Sequence, residues 1–327
     1  MLARRWRMVA HLRVLKPGLS TTIQDLGRHR CLQMGIPTGG AADLYSHRLA
    51  NAAVGNGASA ATLEMMLLGA EFEVLQACEV AIAGADMGFH INGRDSEMGR
   101  AVRVAGGDVL TFSKAKRGCF GYLAIHGGFD GAVALGSRST YVAGRLGGHF
   151  GRALRKGDAL DALESGGADR ILAAEQLLDW PLRKEPLRFV RGPQPEYFTD
   201  SAYRAFTSVP FTVTPRSNRV AHRLAGPALE IEAVPRSGDT GSGPTDIVED
   251  GNAIGAIQIA GGIEPICMGR DCPTTGAYAK IGCIITPDVS RLAQVQPGDS
   301  VSFEEMSVEA AHEMSRDMNR LMGSFSS

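Results

Sequence analysis

The sequence predicts a mainly β protein built from two units with a few short helices, and three observations carry that prediction. Apolar runs are short and bounded by glycine or proline; 41 glycines among 327 residues mark tight turns and bulges; and a Gly-Asp strand-entry motif occurs in both halves. The length exceeds the usual size of one hydrophobic core. The boundaries read as an N-terminal extension over 1–11, a first β unit over 12–185, and a second over 186–327 that ends in a helix.

Taken in order, LRVLKPG is a β-like run closed by a Pro-Gly turn, followed by a polar stretch with Thr21, Thr22, Gln24, Asp25 and Arg28. DLYSHRLANAAVGN reads as a helix, with Leu44, His47, Leu49, Ala52 and Ala53 on one face, Asp43 as N-cap and Gly55 as stop. From Thr62 to Phe112 the period turns to β, and Asn92-Gly93 is the strongest hairpin signal in the chain. GYLAIHGGFD adds a strand whose His126 reads as structural, and Gly136 to Leu160 is a Gly-rich polar loop.

Residues 164–186 form the linker. LRFVRGPQPEYF opens the second unit, with a helix around Tyr197 to Phe206. FTVTPRSNRVAHRLAGPALEIEAV reads as strand, polar turn, strand, and SGDTGSGPTD as a flexible loop. GAIQIA and IEPICM then read as two strands delivering one polar loop that runs to Lys280. DVSRLAQVQPGDSVSF is a helical turn and a strand. In SVEAAHEMSRDMNRLMG, Val308, Ala311, Met314, Met318 and Leu321 repeat at helical spacing behind Ser307, so the methionines read as core packing.

Composition disfavours several functions. A formal net charge of -1 gives no global reason for nucleic acid or an anionic membrane as partner. No apolar run approaches the ~20 residues that span a bilayer, and arginines interrupt the N-terminal apolar stretch, against a secretory signal. Six cysteines without C-x-x-C spacing suit reduced thiols in a cytoplasmic protein. Cys272 reads as a bystander because no histidine lies near it in sequence. No His, Cys and carboxylate cluster has metal-ligand spacing, and no G-x-x-x-x-G-K-[ST] occurs.

Polar groups gather at four places. Gln24 and Asp25 either line a site or, in the case of Asp25, cap a turn. Arg138 and Tyr141 sit in the Gly-rich loop, where Arg138 could clamp a carboxylate or phosphate. Asn218 and Arg219 share a bend. Gln258 ends an apolar segment ahead of the densest cluster, which holds Asp271, Thr274, Thr275, Tyr278 and Lys280. An ion pair of Asp271 with Lys280 or Arg270 would explain part of that cluster, yet exposed pairs are worth only about 0–1 kcal/mol.

TTIQDLGR, GSRSTY, LGG with GRAL and GD, SNRVAHRLAGPALE, GAIQI, the Asp271 to Lys280 cluster and LAQVQPGD, in this order, resemble the carboxyltransferase-like family. That family contains the C subunit of 5-oxoprolinase, allophanate hydrolase subunit 2, the KipA regulator and part of the urea carboxylase carboxyltransferase domain. The resemblance implies two cyclophilin-like β-barrel subdomains and a composite site completed by a chain like KipI or the B subunit of 5-oxoprolinase. A further partner would be the LamB/YcsF-like A subunit.

It also implies a small amide substrate. The complex would use ATP to hydrolyse 5-oxoproline to glutamate, with no cofactor bound covalently. In the carboxyltransferase alternative, carboxybiotin arrives on a partner, since this chain has no M-K-M site. A KipA-like binding protein without chemistry is the third reading. Under the first, Lys280 and Arg219 supply positive charge and Asp271 orients or accepts a proton, while Gln258, Thr275 and Tyr278 bind substrate. The sequence departs from the family pattern at Asn218, where an acid is usual, at Ala277, where a glycine is usual, and at Ala279, where a proline is usual.

Overall fold

The computed structural model describes residues 10–163, 175–232 and 243–323. The chain divides into two compact units, one holding the described residues of 1–27 and 44–178, the other Arg28–Asp43 and those of 179–323. The segment Arg28–Asp43 thus groups with the second unit although it precedes most of the first in sequence.

The first unit holds two antiparallel sheets. One runs Ala159–Leu160, Leu12–Lys16, Glu71–Val74, Val109–Thr111, His90–Ile91, Arg94–Asp95; the other runs Thr21–Gln24, Thr62–Met66, Arg117–Ile125, Cys78–Asp86, Val102–Val104. Alternation decides which residues enter the core: Leu12 and Val14 are fully buried while Arg13 between them is exposed. Ile23, Leu63, Met65, Phe72, Leu110, Leu123 and Ile125 complete that core, each such side chain worth about 1.5–3 kcal/mol on burial. Asn92 and Gly93, at φ 53° and 75°, make the expected hairpin between His90–Ile91 and Arg94–Asp95. The helix Leu44–Ala53 ends at Gly55, φ 72°. His47 is buried on it and bonds Thr62 Oγ1 at 2.9 Å, a structural histidine.

The second unit is one eight-stranded sheet in the order Ser300–Val301, Phe211–Val213, Ala221–Ala225, Glu264–Met268, Ala256–Ala260, Lys280–Ile284, Leu187–Arg191, Phe303–Glu305. Its two end strands are separated in sequence by Ser302 alone, so the sheet curls back on itself into a nearly closed barrel. The helix Asp200–Ser208, capped by Thr199, brings Phe206 onto Phe303 with ring centroids 4.3 Å apart; Phe189 and Phe211 pack around them. A two-stranded ribbon, Asp246–Gly251 with Thr275–Tyr278, accompanies the barrel.

The Gly-Asp echo has a structural basis and a third copy. In Ala105–Asp108, Arg155–Asp158 and Gln296–Asp299 the aspartate Oδ2 accepts from the backbone N–H three residues earlier at 2.7, 2.7 and 2.8 Å. Each glycine, near φ +90°, donates its N–H at 2.8 Å to the carbonyl of a buried valine, Val74, Val14 or Val213. One turn design thus enters strands in both units.

Three expectations change. The segment after Met268 is not one loop: Thr275–Tyr278 is ribbon and Lys280–Ile284 is barrel, because their backbone groups find ladder partners. The segment between Thr62 and Val74 breaks into two strands at Leu67, φ 57°. In the C-terminal helix Val308–Gly323, only Ala311 is buried; Met314 and Met318 are half-covered and Val308 is exposed, so the methionines rim the core instead of filling it. Residues 164–174 of the linker, the N-terminal extension as far as residue 9 and most of the SGDTGSGPTD loop lie outside the described residues, while the rest of the linker opens with the short helix Glu175–Asp179.

Candidate functional site

Within the second unit, the bend after Phe211–Val213 and the loop after Glu264–Met268 are tied together by their backbones. Gly269 N donates to Val220 O and Asp271 N to Arg219 O, at 2.8 and 3.1 Å. The side chains repeat the link: Arg219 Nε and Nη2 donate to Asp271 Oδ2 and Oδ1 at 2.8 and 2.9 Å, a bidentate pair only 14% and 10% exposed. Arg219 Nη2 also donates to Gly40 O at 2.7 Å, and Gly39 N to Arg270 O at 3.0 Å. The Arg28–Asp43 segment is anchored here for that reason, and its Arg28 is 1% exposed. Asp271 has both oxygens engaged by one guanidinium, which holds Arg219 in place.

Lys280 lies in a second cluster of the same unit. The strand Lys280–Ile284 pairs with Ala256–Ala260 through a bulge: Ile257 faces Gly282, but Gln258 faces Lys280, leaving Ile281 extra. Ile257, Ile259, Ala279 and Ile281 point into the core while Gln258 and Lys280 take the other face, buried to 4% and 3% exposure. Lys280 Nζ donates to Asp250 Oδ2 at 2.8 Å, and Gln194 Nε2 donates to the same oxygen at 3.1 Å. Gln194 Oε1 in turn accepts from Lys280 N at 3.1 Å. The Lys280 ammonium, with the Gly251 N–H and the Gln194 amide, holds Asp250 below the usual carboxylate range. Gln258 Nε2 donates to Asn252 Oδ1 at 2.8 Å, and Asn252 Nδ2 to Pro273 O at 3.3 Å, which leads back to the Asp271 loop.

The ribbon carries the remaining residues of this cluster. Thr275 is exposed and donates to Glu249; Tyr278 is 37% exposed; Thr274 O accepts from Asn252 N at 2.9 Å. Gly276 passes so close to the amides that a Cβ there would lie 2.3 Å from Gln258 Nε2 and 2.8 Å from Asn252 Nδ2. Cys272 is buried, and burial, reinforced by Asp271, pushes its thiol up to about 11, which disfavours the thiolate.

In the first unit, Asp25 organises the Gly-rich loop. It accepts from Ser137 Oγ at 2.6 Å, Arg138 N at 2.6 Å, Gly27 N at 2.8 Å and Ser139 Oγ. Burial acts to raise its pKa, but these four donors outweigh it and hold the group below the ordinary range. Gln24 is fully buried, donating to Thr22 Oγ1 and Thr140 O at 2.9 and 3.1 Å, and its Oε1 has no partner among the described residues. The Arg138 guanidinium is one-third exposed beside Asp130, and Tyr141 is half-buried, its backbone bridged to Leu146.

The carboxyltransferase domain model, subdomains A and B, matches residues 34–305. The chain belongs to this carboxyltransferase domain family. It is 32% identical to the C subunit of 5-oxoprolinase from Escherichia coli K12 over 318 residues, covering 94% of this chain and 96% of that protein. It is also 32% identical to the urea amidolyase of Lachancea kluyveri, covering 92% of this chain but 17% of that longer one. Among solved structures, the Kluyveromyces lactis urea amidolyase superposes with a TM-score of 0.91 at 28% identity, over 99% of this chain and 20% of that one.

The departures from the carboxyltransferase family's pattern now have local explanations. Asn218 Oδ1 accepts from Val220 N at 2.8 Å, a turn contact that an aspartate oxygen makes equally well. Ala277 points to solvent, whereas the retained Gly276 is the position without room. Ala279 N donates to Thr245 O at 2.8 Å, a bond that proline cannot make.

Sequence reasoning did not single out Gln194, Asp250 and Asn252, which surround Lys280 and Gln258. Asp250 ends an acidic stretch 30 positions from Lys280, and nothing in its neighbours marks it.

Proposed function

We propose that this chain takes the place of the 5-oxoprolinase C subunit in an ATP-dependent complex that opens a small cyclic amide, 5-oxoproline being the reference substrate. The observation that carries this reading is the end-to-end match to the C subunit of a 5-oxoprolinase, which spans 96% of that protein. The proposed partners are a chain like KipI or the 5-oxoprolinase B subunit, and a LamB/YcsF-like A subunit. ATP is used by the complex, and the setting is cytoplasmic.

An amide carbon is a poor electrophile, so the reaction needs an activated carbonyl and a fixed cation for the oxyanion that forms. Lys280 suits that role: its ammonium is buried, held by one carboxylate, and has further N–H donors to offer. Arg219 is the second fixed cation, set in place by Asp271. Gln258, Asn218, Thr274, Thr275 and Tyr278 are proposed substrate contacts in this unit; Gln24, at the end of the strand Thr21–Gln24, and Arg138 and Tyr141, on the loop that Asp25 holds, form a separate candidate cluster in the first unit.

The test is reconstitution with the two partner chains, ATP and 5-oxoproline, with glutamate release as the readout. ATP-dependent glutamate is expected, and Lys280→Met, which keeps the side-chain volume, should lower turnover at least about 100-fold. No glutamate from an assembled complex would sink the hydrolase reading and leave a KipA-like binding protein.

The close superposition on the urea amidolyase favours a second reading, a carboxyltransferase fed by carboxybiotin on a partner. Carboxylation of urea by the chain together with a biotinylated partner would establish it instead.

A further inference from the structure

We propose that Asp250 is a positioning residue that keeps Lys280 charged and fixed, so that Lys280 serves its site as a permanent cation and not as a base. The geometry is specific. Lys280 is 3% exposed, yet Asp250 is half-exposed and reaches it from the ribbon Asp246–Gly251, whose pairing with Thr275–Tyr278 is irregular between Asp246 and Asp250. Gln194 locks the pair by binding the Asp250 carboxylate with its Nε2 and the Lys280 backbone N–H with its Oε1.

A buried ammonium without a counter-charge loses its proton readily, and an adjacent carboxylate reverses that tendency. Other charges on the neighbouring elements are engaged elsewhere. Glu249 on the ribbon accepts from Thr275, while Arg188 and Arg191 on the strand Leu187–Arg191 bind Asp288 and Glu305. Asp250 stays ionised throughout the neutral range, since the ammonium, Gly251 and Gln194 all favour its charged form. The lysine's role as oxyanion holder rests on the proposed amide chemistry; its dependence on Asp250 for charge does not.

The chain has six lysines, few enough to follow individually by NMR after [ε-13C]lysine labelling of the full chain. The Lys280 resonance is the one lost in Lys280→Met. In Asp250→Asn, which keeps the shape, the Lys280 titration midpoint should fall by at least one pH unit, a tenfold or greater change in its protonation equilibrium. Asp250→Glu should restore most of it. An unchanged midpoint in Asp250→Asn overturns the inference, whatever the complex does in assay. A shifted midpoint supports it even if 5-oxoproline proves not to be a substrate, and that failure would then count against the amide reading alone.

Discussion

Asp271 receives two hydrogen bonds from the Arg219 guanidinium, at 2.8 and 2.9 Å, from a residue 52 positions away. Removing the carboxylate would take two charge-assisted hydrogen bonds from a largely buried guanidinium. Asp271→Ala is therefore expected to lower unfolding free energy by about 3 kcal/mol. A urea titration checks this, and a double-mutant cycle with Arg219→Ala should return a coupling energy well above zero; additive losses would mean that the pair is not coupled.

Gly276→Ala places a methyl group where Gln258 Nε2 now lies. The amide must move and its bond to Asn252 breaks, a loss of about 1 kcal/mol of positioning. In the reconstituted complex, kcat/KM should fall roughly fivefold, and the urea midpoint should fall as well, by the equivalent of about 1 kcal/mol. Ala277→Gly, one residue on and facing solvent, is the control and should leave kcat/KM within about twofold.

Restoring the family's proline should harm this protein. Ala279→Pro deletes the N–H that bonds Thr245 O in the buried join between ribbon and barrel. A loss of about 1–3 kcal/mol is expected from thermal or urea unfolding, with Thr245 O left unsatisfied. Equal stability would indicate that the backbone carbonyl finds another donor.

Acid stability should report the Gly-Asp turns. The Arg152 guanidinium, with the Arg155 N–H and His149, outweighs desolvation and holds Asp158 at about 2, against 3.8 for the free group. The sign follows from linkage. A depressed carboxylate contributes stability that is present above its unfolded pKa and lost as pH falls through its folded one. The urea midpoint of the parent should therefore exceed that of Asp158→Asn above pH about 4, and the gap should close as pH approaches about 2.

Much of the fold was legible because its causes are local. The apolar alternation of Leu12–Lys16, the Asn92-Gly93 turn, the Gly55 stop and the Ser307 cap are set by residues within a few positions of one another. The Gly-Asp motif announced a strand entry even at six residues because the aspartate needs only the amide three residues before it. The dense polar stretch at Asp271 to Lys280 likewise marked the candidate site.

How that stretch is divided could not be read there. Asp271 pairs with Arg219 and Lys280 with Asp250, across 52 and 30 residues. The bulge at Ile281 sets Lys280 opposite Gln258 while Ala279 and Ile281 fill the core. The sequence by itself determined which residues could be charged, apolar or bent. Only the tertiary structure decided which charges meet, because register and sheet closure set those distances, and both are fixed by strands far apart in the chain.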